Sequence, residues 1–182
     1  QKILELCFNP IIKKSMPLRA SLAMLIRRLY RYTLLYSKKA LENTAINNLE
    51  DLNYLLSLRI LETPSKTELI NWNVSEFSSG IEVIKRLIKN GFIDELPSEN
   101  DKRSKKLKIT DKGSLAIAAT MEHLPHLATI AFGQLSDEQV KTITEALYPL
   151  EKWHWDNLTT AKDLNWKELL SHLEIIEEGN PV

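Results

Sequence analysis

The sequence predicts a mainly α fold with a small β-wing. Apolar residues recur at helical spacing along most of the chain, and a capping signature at Ser65 opens a pair of short helices. Two short extended runs then bracket a polar tip. Together these describe a winged helix-turn-helix core between Ser65 and Gly113, with further helices before and after it.

Each element has a local reason. Leu18, Leu22, Leu25, Leu29, Tyr32 and Tyr36 step by fours and threes along a first long helix, while Arg27, Arg28, Arg31, Lys38 and Lys39 cover much of its remaining surface. Asn48 to Leu61 follows, striped by Leu49, Leu52, Leu55 and Leu56. In Pro64-Ser65-Lys66-Thr67-Glu68, Ser65 caps a helix and Glu68, three residues on, completes a capping box. Leu69 and Ile70 supply apolar contacts, and Asn71 to Asn73 ends this short helix. Asn73-Val74-Ser75 is the turn, with Ser75 as cap of the next helix. From Glu76 to Asn90, the residues Phe77, Ile81, Ile84, Leu87 and Ile88 form an inward face. The other face carries Ser78, Ser79, Glu82, Lys85, Arg86 and Lys89: hydroxyls first, long cations later.

Gly91 stops that helix in the left-handed position that favours glycine. Phe92 to Leu96 and Lys105 to Ile109 are the two extended runs. In the second, Leu107 and Ile109 alternate with Lys106 and Lys108, so one face is buried and the other wet and positive. Pro97 to Ser104 is a polar hairpin tip. Between Lys102 and Lys112 stand six Lys or Arg against one acid, Asp111. Such a run is commonly a solvated surface. Its place on a hairpin directly after a polar-faced helix points to nucleic acid instead.

Downstream, Gly113 to Phe132 is helical, with Pro125 bending or dividing it. Ser136-Asp137-Glu138-Gln139 is a second capping box, opening a helix striped by Val140, Ile143, Leu147 and Leu150. Asn165 to Glu177 is a final amphipathic segment through Trp166, Leu169, Leu170, Leu173 and Ile176.

The 182 residues carry a formal net charge of zero, but the charge is unevenly spread. Residues 1–41 hold nine Lys or Arg and one acid, whereas residues 114–182 hold four basic residues and eleven acids. Local charge therefore decides. No run of about 18 apolar residues supports a membrane span. A single cysteine, Cys7, excludes an internal disulfide framework and fits a reducing cytosol, so a cytoplasmic location is expected.

Gly91-Phe92-Ile93, then Asp101-Lys102-Arg103-Ser104, then Leu107-Lys108-Ile109-Thr110-Asp111-Lys112-Gly113 form an ordered series at characteristic spacing. It resembles the wing motifs of the MarR family of bacterial transcription regulators, and Leu69 and Leu87 stand the right distance apart for that family's reading unit. The resemblance covers roughly Leu18 to Leu158. Two departures bear on the preferred DNA sequence rather than on the fold: Glu82, where many members carry a cation or neutral polar residue, and Gly80, which lowers helix propensity in the reading helix.

The resemblance implies a homodimeric regulator that binds double-stranded DNA at an inverted-repeat operator. Residues 1–47 and 114–182 would be helical dimerisation regions, with Trp153 and Trp155 as interface anchors or intrachain packing residues. Residues 48–113 would be the DNA-binding region. Ser78 and Ser79 would meet base edges or phosphates in the major groove, Glu82 would accept from a cytosine amine, and Lys85 and Arg86 would meet the phosphate backbone. Arg103, oriented by Asp101 and flanked by Lys102, Ser104 and Lys105, would enter the adjacent minor groove. Ser65 and Lys66, at a helix N-terminus, would hold a phosphate. A small lipophilic or phenolic effector would sit near Tyr30, Tyr36 and Trp72, residues for which structural roles stay open.

Other readings stay beside this one. A winged-helix module could bind protein instead of DNA. Leu6-Cys7-Phe8 suggests an oxidant sensor, although Asn9-Pro10 interrupts the helix there. His123 and His126, beside Glu122, suggest a metal sensor, although Pro125 disturbs their helix and more ligands are needed. No phosphate loop, nucleophile elbow, zinc-protease motif or dinucleotide turn is present, so neither catalysis nor a cofactor is expected.

Overall fold

The computed structural model describes residues 17–97 and 105–173. Within them the elements run α1 (Leu18–Ala40), α2 (Leu49–Leu61), α3 (Lys66–Trp72), α4 (Phe77–Lys89), β1 (Ile93–Pro97), β2 (Lys105–Ile109), α5 (Asp111–Met121), α6 (Leu124–Phe132), α7 (Asp137–Asp163) and α8 (Trp166–His172). The expected mainly α fold with a β-wing is the fold observed. Two compact units divide after Gly133.

The first unit holds the core. Leu52, Tyr54, Leu55 and Leu58 from α2 pack with Leu69 and Ile70 from α3 and with Val83, Ile84 and Leu87 from α4. Ile93, Leu107 and Ile117 close the layer from β1, β2 and α5, each fully buried. The wing is an antiparallel pair with Ile93 opposite Ile109 and Glu95 opposite Leu107. On its other edge β2 meets the loop before α3: Ser65 bridges Lys106, and the Leu107 amide donates to the Pro64 carbonyl at 2.8 Å. The wing root is thus three extended segments wide.

Local signals set most boundaries. Asn48 caps α2, accepting from the Asp51 amide. Both arms of the Ser65–Glu68 capping box are made. Gly91 ends α4 at φ 71°, as expected of glycine. Pro125 stands in the first turn of α6, and the helix expected from Gly113 to Phe132 is divided there.

Two expectations at the α3–α4 turn are corrected. Glu76, not Ser75, is the N-cap position of α4, and no side chain caps it. The Ser75 hydroxyl instead donates to the Asn73 carbonyl, behind a Val74 held at φ 51°. Phe77, expected inward, is exposed, because the core closes only from Gly80 onward. Gly80 itself is a close-packing residue. A Cβ there would lie 2.5 Å from Ile70 Cγ1 and 2.7 Å from the Tyr54 hydroxyl, so glycine lets α3 and α4 cross in contact.

In the second unit, Ser136 and Gln139 form the expected capping box of α7, which runs 27 residues through Pro149. Asn165 and Glu168 form another on α8. The segment expected to reach Glu177 is described only to Leu173. Neither α7 nor α8 buries a residue: Val140, Ile143, Leu147, Leu150, Trp153 and Trp155 are all exposed. No helix among the described residues is long and apolar enough to cross a membrane.

Candidate nucleic-acid interface

The α4 helix is pinned before it presents anything. Its buried stripe faces α2 and α3, and Arg86 reaches across to α2. The Arg86 Nε donates to both carboxylate oxygens of Asp51, at 3.0 and 3.1 Å, while Nη2 approaches Asp51 Oδ1 at 2.5 Å and Glu50 at 3.5 Å. The Asp51 side chain is only 3% exposed, so the pair ties the reading helix to the core. The hydrogen bonds that Arg86 donates to Asp51 hold its guanidinium above the usual pKa.

The far end of α4 is fixed by the segment entering α5. Thr110 caps that helix, accepting from the Gly113 amide at 3.0 Å, and its hydroxyl donates to the Gly91 carbonyl at 2.8 Å. Lys112 donates to the Asn90 carbonyl at 2.7 Å and lies over the Phe92 ring. The Thr110-to-Gly113 motif therefore joins the wing to the end of the reading helix.

Outward on α4 stand Ser78, Ser79, Glu82 and Lys85, with Phe77 and Lys89 exposed at its two ends, all outside the buried stripe. Lys85 and Glu82 pair at 2.8 Å, with about two-thirds of each side chain in water. Such an i,i+3 surface pair is worth only a few tenths of a kcal/mol, about 0.3–0.5, and yields readily to a phosphate.

The wing root differs. Glu95, 19% exposed, takes Lys66 on Oε1 and Lys105 on Oε2, each at 2.5 Å. Those two lysines, Lys105 first, hold its carboxyl below the usual range. Glu68 accepts from the Ser65 amide and from Lys106 at 3.1 Å. Its pKa is lowered to about 2, chiefly by the Ser65 backbone hydrogen bond, then by the Ser65 side chain and Lys106.

The sequence-derived residues thus part into groups. Ser78, Ser79, Glu82 and Lys85 share one open face. Lys66 and Arg86, read from sequence as phosphate contacts, and Lys105, read as flanking Arg103, are ion-paired within the chain, and Ser65 is engaged in its capping box. Asp101, Lys102, Arg103 and Ser104 lie outside the described residues, as does Cys7. Tyr30 lines a hollow of about 230 Å³ with Glu50, Asn53, Tyr54 and Asn73, whereas Tyr36 and Trp72 stand elsewhere. Among the described residues, no group of three or more His, Cys, Asp or Glu gathers at His123 and His126 or anywhere else. The sequence reading missed Glu95 and Asp51 altogether, because their partners are distant in the chain.

A helix-turn-helix whose second helix turns a polar face outward beside a cationic hairpin defines a winged-helix DNA-binding protein. Residues 39–113 match the winged helix DNA-binding domain family. The chain is 30% identical over 101 residues to the uncharacterized HTH-type transcriptional regulator YybA of Bacillus subtilis, covering 54% of this chain and 67% of that protein. Among solved structures it superposes on a cysteine-to-serine mutant of E. coli MarR in complex with operator DNA, with TM-score 0.67 and 21% identity over 79% of this chain and 96% of that one. It also superposes on BpsR of Bordetella bronchiseptica, whose structure concerns regulation of DNA binding by 6-hydroxynicotinic acid, with TM-score 0.65 and 16% identity over 71% and 98%. The chain belongs to the winged-helix HTH-type transcriptional regulators, and its fold is that of the MarR structures. It is a DNA-binding regulator of transcription.

Proposed function

We propose that the protein binds an inverted-repeat operator as a homodimer and acts by occupancy rather than catalysis, in the cytoplasm. The observation that carries this reading is the open face of α4, where Ser78, Ser79, Glu82 and Lys85 stand outward on a helix pinned from behind by Asp51 and Arg86. Ser78 and Ser79 meet base edges, Glu82 accepts from a cytosine amine and Lys85 releases it to take a phosphate. Arg103, with Asp101, Lys102 and Ser104 around it, enters the neighbouring minor groove. Lys66, Lys105 and Arg86 are left out of the phosphate contacts, since each already holds a carboxylate.

Residues 48–113 are the reading region, and 1–47 with 114–182 the dimerisation regions. Leu22, Leu25, Ile26 and Leu29 on α1, and separately Val140, Ile143, Leu147 and Leu150 on α7, are all 40% or more exposed, two apolar faces for a second copy to cover. A small lipophilic or phenolic effector fits the hollow at Tyr30, where apolar Leu34 and Leu49 adjoin polar Asn53 and Asn73.

Selection of bound fragments from genomic DNA tests the reading. The expected product is an inverted repeat with half-sites about 10 bp apart, centre to centre. On that site Arg103→Ala weakens binding strongly with an intact helical spectrum, and Lys85→Ala reduces the salt slope by about one. Failure to enrich any sequence at low salt would leave only the protein-binding alternative.

A further inference from the structure

The wing root carries more positive charge than it offers. Because Ser65 bridges Lys106, Lys66 falls beside Lys105 on the face of the sheet that also carries Glu95. One carboxylate there holds two ammonium groups, and its side chain is more shielded from water than either lysine's. On the next strand position Glu68 holds Lys106 while its second duty, accepting from the Ser65 amide, fixes it at the start of α3. Three lysines from two segments are thus gathered onto two acids, at the junction of wing and reading unit.

These pairs differ from ordinary surface pairs in two ways. Glu95 is shared, so breaking one contact still leaves it held by the other lysine. Both acids also bridge separate elements, β1 to α3 and α3 to β2, so they tie the hairpin to the reading unit beside the backbone bridge at Ser65. We propose that Glu95 and Glu68 are positioning residues that clamp the wing and withhold Lys66, Lys105 and Lys106 from DNA phosphates, suppressing sequence-independent binding. The inference rests on the reading above, in which α4 and the wing grip DNA. Its consequence is selectivity: the unspecific part of affinity scales with the phosphates neutralised, and the clamp subtracts from that number without touching a base-reading side chain.

The test is a fluorescence-anisotropy titration of a mixed-sequence duplex of about 30 bp across roughly 50–200 mM NaCl. Each freed lysine that meets a phosphate steepens the plot of log K against log salt by about 0.9. Glu95→Gln therefore steepens it by about 0.9–1.8, and its affinity relative to the native protein rises roughly 3- to 12-fold between 200 and 50 mM. Glu68→Gln keeps the capping box and frees Lys106 alone, for about 3-fold. Glu151→Gln, an equal change of net charge on α7, leaves the slope unmoved. Lys66→Gln gives a reading independent of any damage to the wing. It leaves the native slope unchanged but lowers that of Glu95→Gln by about 0.9.

A Glu95→Gln slope equal to that of Glu151→Gln, while the native protein binds the duplex, overturns the clamp and leaves the DNA-binding reading standing. So does a fall in native slope on Lys66→Gln. A native protein that ignores the duplex even at about 50 mM overturns both together.

Discussion

Replacing Gly113 by alanine should destabilise the protein, against the usual direction for a glycine inside a helix. Gly113 lies in the first turn of α5, where alanine gains at most about 1 kcal/mol of helix propensity. The new Cβ would stand deep inside contact distance of the Phe92 carbonyl oxygen, 3.1 Å from its carbon and 3.0 Å from Ile109 Cγ1. The carbonyl cannot retreat cheaply: it accepts from the Thr110 amide at 3.0 Å, and Ile93 beyond it is fully buried. Overpacking of this kind costs about 1–3 kcal/mol, and contact with backbone places it at the upper end. The net loss is about 2 kcal/mol. With a urea slope near about 2 kcal/mol/M, the unfolding midpoint drops by about 1 M at fixed protein concentration. Ser114→Ala, one exposed residue further, serves as control and stays within about 0.5 kcal/mol. A Gly113→Ala midpoint at or above the native one would refute the close approach of α5 to the wing.

Two further outcomes follow from the ion pairs. Arg86→Met leaves the Asp51 carboxylate buried and unpaired and costs about 3 kcal/mol, whereas Asp51→Asn leaves a guanidinium that is 41% exposed and costs about half that. Urea midpoints in the reverse order would contradict the assignment of Asp51 as the shielded partner. For Glu68 the folded pKa lies near 2, below the ordinary 4.5, so its stabilisation is complete above about pH 4.5 and fades as pH falls through about 2. Carboxyl-carbon NMR should place its midpoint there, and Glu68→Gln should lose less stability than the native protein between about pH 5 and pH 3. An ordinary midpoint near 4.5 would remove the hydrogen bonds from Ser65 and Lys106.

The legible parts of this fold are the parts whose causes are local. The Ser65–Glu68 and Ser136–Gln139 boxes, the left-handed Gly91 and the alternation around Leu107 each depend on neighbours within a few residues. The α3–α4 turn was less legible, because it hinges on Val74 at positive φ, a conformation that a β-branched residue does not advertise. Gly80 was visible only as a weak helix former; its packing role needs Ile70 and Tyr54, which meet it only after folding. The counter-ions of the wing root were hidden for a related reason. Counting along the chain from Lys102 to Lys112 finds six cations and one acid, but Glu95 and Glu68 reach that segment from 10 and 38 residues away. Sequence distance hides counter-ions more thoroughly than it hides caps.

The ties on α4 also constrain how DNA affinity could be regulated. Crossing contact at Gly80, the Asp51–Arg86 pair and the Thr110–Gly91 bond hold it in its first turn, in its last turn and just beyond its end. Breaking any one costs about 1–3 kcal/mol, and a tilt of the helix breaks more than one. Allosteric coupling is commonly about 1–3 kcal/mol in total. An effector of that strength is therefore too weak to re-aim α4 within its own unit. In the proposed homodimer, moving two intact reading units relative to each other would ask only for sliding along an apolar interface, whose burial is nearly non-directional and loses little with a small shift. An effector that lowers operator affinity would thus change the spacing between the two reading helices while leaving each one's packing as it is. Amide exchange should accordingly stay unchanged at Val83, Ile84 and Leu87 when such an effector binds; a loss of protection there would mean that α4 itself is the moving part.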